Sequence, residues 1–255
     1  MPKKPKPISI HLSQATSADL LPLTRLDIAA NSAHPLIALS FPYPFQALKL
    51  FLAHLRFCFE RTGGGEYRIL VARLRCEPEG GSDADSGVDV SIEAENSGVI
   101  GDHEDVMRER GEIVGFVMWR VRGMAGGRRE DEEEEDWDWL AHLPKGANMS
   151  LWKGYTEIMG SESQAREGGV EILKLAVSPQ HQRRGIGRKL LKACLDEVGE
   201  REVKVRASKD AKALYERFGW RCKREFKLDL REWGRCRTYV NFEMARAAEG
   251  AVSDA

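Results

Sequence analysis

The chain has 255 residues, enough for one sizeable core. Lys+Arg 39 against Asp+Glu 40 leaves a net charge of -1, which excludes a whole-molecule field that would gather nucleic acid or an anionic membrane. The 5 cysteines form no C-x-x-C pair and the 6 histidines no metal-ligand spacing, so neither a disulfide framework nor a metal site is expected.

The N-terminal "MPKKPKPISI" is basic but leads into no apolar run, and no stretch of spanning length is uninterrupted and apolar. The expectation is a soluble, unsecreted protein of the cytoplasm. The nucleus is the alternative if "KKPK" acts as a signal rather than as a short solvated arm. Ile8, Ile10 and Leu12 alternate on one face and predict a first strand. Thr16 with Asp19 makes a capping-box pattern ahead of Leu20, Leu23, Leu26 and Ala30 at helical spacing. After the turn-rich "FPYP", Phe45 to Glu60 reads as a second amphipathic helix, ending before Gly63. Tyr67 to Leu74 and Glu112 to Arg122 are rich in β-branched and aromatic residues and read as strands.

Two insertions interrupt this order. Glu77 to Arg110 is dominated by Gly, Ser, Asp and Glu, so burial cannot offset its ordering entropy, and a mobile loop is expected. The second, about residues 123–169, holds "EDEEEED" from Glu130 to Asp136. It is expected as a solvated loop with a few docked aromatics, among them Trp137, Trp139 and Trp152. An acidic mouth for a cationic substrate is the alternative use. The reading is a single domain over residues 8–246 with flexible insertions at about 77–110 and 123–169 and tails at 1–7 and 247–255.

The second half carries the chemistry. "GGVEILKLAVSP" is a strand ending in a Ser-Pro turn. Ile186, Leu190, Leu191, Cys194, Leu195 and Val198 then form a helical stripe, with packing rather than nucleophilic catalysis explaining Cys194. Val203 to Ser208 is another strand. Ala211, Leu214 and Phe218 mark a short helix stopped by Gly219, with Tyr215 one step around from the Leu214/Phe218 stripe. "CKREFKLDL" and "RTYVNFEMA" read as a closing strand pair.

Between the strand and the stripe lies "QHQRRGIGRKLL". A turn that opens a helix exposes backbone N–H groups at the positive end of the helix dipole. Gly185 and Gly187 lack a Cβ, so the main chain can approach a bulky phosphate or adopt positive φ, while Arg183, Arg184 and Arg188 add charge. A pyrophosphate fits. The nucleoside-triphosphate loop fails here because no Ser or Thr follows to hold Mg²⁺. The dinucleotide fingerprint fails because Leu190 stands where its third glycine belongs. His181, ahead of the turn, reads as a solvated histidine rather than a base.

The pattern Q/R-x-x-G-x-G/A is met at every fixed position by Gln182, Arg183, Arg184, Gly185, Ile186 and Gly187. With "LKLAVSP" before it and "ASKDAKALYERFGW" after it, the segment from about Val170 to Trp220 resembles the acetyl-CoA-binding half of the GNAT acetyltransferase superfamily. The resemblance implies an α/β (α+β) fold: a mixed, mostly antiparallel central sheet flanked by helices and splayed at a cofactor cleft. It implies acetyl-CoA as co-substrate and transfer of the acetyl group directly to a primary amine. On this resemblance the strand Leu175, Ala176 and Val177 would pair with the pantetheine arm, and the backbone from Arg183 to Arg188 would hold the pyrophosphate. The N–H near Val177 would receive the oxyanion. Ser208 stands where family members often carry an asparagine that contacts the cofactor, and its shorter side chain is free to cap the next helix instead.

Tyr215 is the candidate acid, because a phenol is protonated at neutral pH and can reprotonate a thiolate. A half-buried structural tyrosine is the alternative. Glu171 is the candidate base: it stands eleven residues before Gln182, like a catalytic glutamate in the histone-acetylating branch, and strict alternation puts it on one face with Leu173, Leu175 and Val177. A glutamate at the start of a strand, in water or paired with Lys, is the alternative. A non-catalytic acyl-CoA-binding module of the same fold is the rival function, and an RNA- or nucleotide-phosphate regulator a weaker one. The amine acceptor and the oligomeric state are not encoded in any motif.

Overall fold

Tyr67–Leu74 (β2) turns Leu70 and Ala72 to one face and Ile69 and Val71 to the other, all of them buried. A strand that is apolar on both faces has to be covered on both, and two separate clusters do so. The computed structural model describes residues 9–32, 34–75, 111–122, 137–159, 169–235 and 238–247. Ile8, the expected loop over 77–110, the acidic run Glu130 to Asp136 and nearly all of both tails fall outside these residues.

The other strands are β1 (Ile10–Gln14), β3 (Ile113–Val121), β4 (Val170–Val177), β5 (Val203–Ser208), β6 (Arg221–Asp229) and β7 (Thr238–Arg246). They form one seven-stranded sheet in the order β1-β2-β3-β4-β5-β7-β6. Every neighbouring pair is antiparallel except β4 and β5. The mixed, mostly antiparallel sheet expected from the resemblance is therefore present.

On one face lies α5 (Ile186–Val198), whose Ile186, Leu190, Leu191, Cys194 and Val198 are all buried. They pack on Val117, Trp119, Val170 and Ile172 of the sheet. Leu190 and Leu191 reach 0% exposure, each contributing about 2 kcal/mol by burial. The opposite face is covered by α1 (Leu20–Ala30) and α3 (Pro44–Glu60), through Leu23, Leu26, Leu55 and Cys58 against Ile69, Val71, Phe116 and Met118. The capping box ahead of α1 forms as read: Thr16 donates its N–H at 2.7 Å and its hydroxyl at 2.9 Å to Asp19 Oδ2. The other oxygen of Asp19 meets Arg73 at 2.8 Å inside the protein.

Two helices were not expected. Pro35–Ser40 (α2) spans 6 residues, too few for a periodic pattern, and starts on a proline whose ring fixes the first helical φ. Met149–Met159 (α4) lies within the stretch read as a solvated loop, which corrects that reading for residues 149–159, while Trp137 and Trp139 ahead of it pack against Phe41, Leu50 and Phe51 as docked aromatics. Leu151, Trp152 and Tyr155 bury one side of α4 against α2, β6 and the aromatic residues of the preceding segment, whereas the neighbouring acidic run had dominated the composition. The last helix, α6 (Lys209–Glu216), follows β5 directly. Among the described residues no helix is long and apolar enough to cross a membrane, and no cluster of His, Cys, Asp and Glu is arranged to hold a metal ion.

Candidate active site

The parallel pair β4–β5 is in register only at Val170, Ile172 and the residue between them, facing Val203 to Val205. Beyond Ile172 the two strands run on to Val177 and Ser208 without pairing to each other. One edge of β4 is held by β3, so the edge of Leu175 to Val177 that faces β5 is open. Ser178 donates its N–H to Val114 on β3 at 2.9 Å. By the alternation of an antiparallel ladder, the N–H of Val177 points the other way, into the gap. The carbonyl of Val177 lies on that side too, where it accepts from Gln182 Nε2 at 3.1 Å. The Gln182 side chain thus ties the basic turn to the strand end.

The turn has the backbone its glycines require. Gly185 is the N-cap of α5 at φ 85, and Arg183 is the one described non-glycine residue at positive φ, 63. A side chain at Gly185 would be strained whatever the space around it. At Gly187 an added Cβ would sit 3.7 Å from Leu214 and Val177, ordinary contact distance, so the pattern's allowance of alanine there has a steric basis. The first amide of α5 to reach a carbonyl is that of Lys189, to Gly185 at 3.0 Å. Among the described residues none of the amides from Gln182 to Arg188 donates to a backbone carbonyl. Arg183, Arg184 and Arg188 are exposed around them, while Ile186 is 2% exposed, so only its main chain faces outward. A run of unpaired amides at a helix N-terminus, flanked by three guanidinium groups, fits an anion of the diphosphate class.

Inward from the turn, the gap opens into a cavity of about 490 Å³ that Glu171, Leu175, Ser208 and Tyr215 line together. Ala176, Val177 and the basic turn are outside that lining. Tyr215 is the most buried residue of α6, at 3%, whereas Leu214 and Phe218 are only partly buried, so the order of burial expected for this helix is reversed. Tyr215 packs edge-on against Trp220 at 5.5 Å. Burial, with Cys194 nearby, raises its phenol pKa above the usual 10. The Cys194 thiol, 0% exposed, is pushed up to about 12 by the same burial and stays a packing residue. Ser208 sits at the N-cap of α6 but makes no side-chain cap hydrogen bond, which corrects the capping alternative.

The expected face of Glu171 is also corrected. Met118 pairs with Lys174 and Trp119 with Ile172, so Leu173 is the extra residue of a β-bulge. Ile172, Leu175 and Val177 belong to the α5 side, and Leu173 to the α1/α3 side. Glu171, next to Val170 and Ile172, therefore faces α1 and α3 and does not share the Leu175/Val177 face. It still lines the cavity. His181 remains at the turn, half-buried, with Nδ1 3.4 Å from the Ser178 hydroxyl.

Several lining residues carried no sequence signal. Lys174, brought around by the bulge, donates to Asp27 Oδ2 at 2.5 Å and stands 4.7 Å from the Phe51 ring centroid. His54, 6% exposed, has its imidazole pKa held well below 6.5 by burial, with the charge of Lys174 adding to the effect. Asn241 donates to the Tyr239 hydroxyl at 2.7 Å. None of these belongs to a motif, because their meeting depends on the register of β4, β5 and β7.

Residues 141–228 match the model of the acetyltransferase (GNAT) domain, a match that takes in the splay, the turn and α6. A Corynebacterium glutamicum protein described as histone acetyltransferase HPA2 and related acetyltransferase aligns with a TM-score of 0.52 at 16% identity, over 94% of this chain and 97% of that one. The chain has the GNAT fold. Weaker structural matches include the ribosomal-protein-S18-alanine N-acetyltransferase of Escherichia coli, at TM-score 0.45 and 14% identity over 97% of this chain and 99% of that one. Another is the PaiA N-acetyltransferase of Thermoplasma acidophilum in complex with coenzyme A, at TM-score 0.46 and 11% identity over 94% of this chain and 99% of that one. No curated protein matches in sequence.

Proposed function

We propose that this GNAT chain transfers an acetyl group from acetyl-CoA directly to a primary amine. The observation that carries the reading is the run of amides from Gln182 to Arg188 without backbone acceptors among the described residues, set at the mouth of an open strand gap. Those amides, with Arg183, Arg184 and Arg188, hold the diphosphate. The open edge of Leu175, Ala176 and Val177 takes the pantetheine arm, and Ser208 lines the other side of the gap.

Val177 N–H, pointing into the gap, donates to the thioester oxygen as it gains charge. Glu171, in the shared cavity, takes a proton from the incoming ammonium, directly or through water, so that the nitrogen lone pair is free to attack. The new bond forms between nitrogen and the acetyl carbon while the carbon–sulfur bond breaks and its electron pair goes to sulfur. Tyr215, protonated throughout the neutral range because burial raises its pKa, gives that sulfur a proton, and the second proton that the acylated nitrogen sheds as the amide forms restores the Tyr215 phenol by way of solvent. No enzyme nucleophile is needed. The rival, a module that binds acyl-CoA without chemistry, predicts the same binding. Incubation with acetyl-CoA and a panel of primary amines separates them: amine-dependent release of free thiol, with acetylated amine in the mass spectrum, is expected. Saturable binding without amine-dependent thiol release would refute the enzyme.

A further inference from the structure

Asn241 is 5% exposed and its carboxamide is half satisfied. Nδ2 donates to the Tyr239 hydroxyl at 2.7 Å, while Oδ1 is buried without a hydrogen-bond partner among the described residues. A buried acceptor left unpaired is costly and uncommon. The Tyr239 ring that holds the carboxamide is itself fixed, edge-on to His34 at 5.0 Å and tilted against Tyr155 at 6.1 Å. Oδ1 therefore keeps one direction, and a ligand donor placed before it needs no rearrangement of the side chain.

Register places that oxygen beside the chemistry. Asn241 on β7 stands opposite Ser208, the last residue of β5, across an antiparallel pair, so the two side chains share a face. Both line the cavity together with Tyr215, and at Ser208 β5 has already parted from β4. His34, His54 and Trp152 carry further buried polar atoms without partners among the described residues, but they stand on helices or ahead of one rather than in the sheet beside Ser208. A carboxamide oxygen accepts a hydrogen bond and takes no proton in the neutral range, so its task differs from that of the base and the acid.

Granted the acetyl transfer proposed above, we infer that Asn241 Oδ1 accepts a hydrogen bond from the acceptor nitrogen and holds the one N–H that survives in the product amide. A primary ammonium brings three N–H bonds. One proton goes to the base before attack, a second is shed as the amide forms, and the third stays on nitrogen. Only the third can rest on a partner that takes no proton, from the bound substrate through to the product. Held there, the nitrogen presents its lone pair to the thioester carbon in a fixed orientation. A secondary amine has no N–H left once it is acylated, so its product leaves Oδ1 unpaired again, at the cost of a buried acceptor. The site is thereby built for primary over secondary amines, whatever body the amine carries.

The test uses the full chain with acetyl-CoA and three amines, butylamine, benzylamine and glycinamide, each beside its N-methyl counterpart. A primary amine that is turned over is expected to exceed its counterpart in kcat/KM by about tenfold or more, the worth of one buried hydrogen bond. In Asn241→Leu its KM should rise about tenfold and the ratio fall toward one, with the Kd for coenzyme A little changed. Asn241→Asp keeps one oxygen free while the Tyr239 hydroxyl donates to the other, so it should preserve the ratio, and it carries the test if Asn241→Leu does not fold. Equal rates within a pair in the parent, an unchanged ratio in Asn241→Leu or a lost ratio in Asn241→Asp would overturn the inference while leaving acetyl transfer intact. If no amine is acetylated, calorimetry of the three primary amines with coenzyme A present decides separately. Binding weakened by Asn241→Leu sustains the seat although the enzyme reading falls, and no binding, or equal binding in the two proteins, overturns it.

Discussion

At the scale of single residues, protonation decides the roles. Tyr215 is held protonated by burial, so it contributes no limb to a pH–rate profile between pH 6 and 9. Tyr215→Phe is expected to lower kcat about 100-fold, the lower end for loss of a general acid, with the Kd for coenzyme A little changed. A full kcat would remove the assignment. Glu171→Gln is expected to abolish the acidic limb of kcat/KM, and an unchanged profile would leave Glu171 a structural residue. His54 titrates as a stability group instead. Its folded pKa lies well below the unfolded 6.5, so the unfolded chain binds the proton first. The stability tied to it is complete above pH 6.5 and is lost as the pH falls below that value. Denaturant melts from pH 7.5 to 5 should show this loss, and His54→Phe should flatten the slope over that range.

At the scale of elements, the basic turn and the helix it opens act as one device. Gly185→Val forces a β-branched residue to φ 85, at a cost of about 1–2 kcal/mol, and should raise the Kd for coenzyme A at least tenfold. Gly187→Ala, with ordinary contacts at 3.7 Å, should leave it nearly unchanged. Chemical melts and calorimetry on the pair check this, and equal effects would mean that backbone geometry is not what the turn supplies. This device was legible in the sequence because its parts are contiguous, the six-residue pattern running straight into the apolar stripe from Ile186 to Val198; the capping box at Thr16, ahead of α1, was legible as a separate local signal. What was not legible depends on register or on short length. The bulge at Leu173 turns Lys174 toward Asp27 and breaks the alternation expected from Glu171 to Val177, and nothing in the local pattern announces it. α2 is shorter than two helical turns, and α4 sat behind an acidic run that dominated its surroundings.

At the scale of the whole molecule, a three-residue parallel contact joins β1–β4 to the β5-β7-β6 half of the sheet, and the cleft exists because that contact stops at Ile172. A ligand lying in the gap touches both halves and is linked to their common stability. At 100 times its Kd, coenzyme A should stabilise the fold by about 2.7 kcal/mol, read as an upward shift in Tm. The most direct test is calorimetric titration of the full chain with coenzyme A, beside the same titration of Gly185→Val. One saturable site in the parent, weakened at least tenfold in the variant, is the predicted result. No saturation at millimolar coenzyme A, or equal affinity in both proteins, would contradict the claim that the amides between β4 and α5 hold the diphosphate.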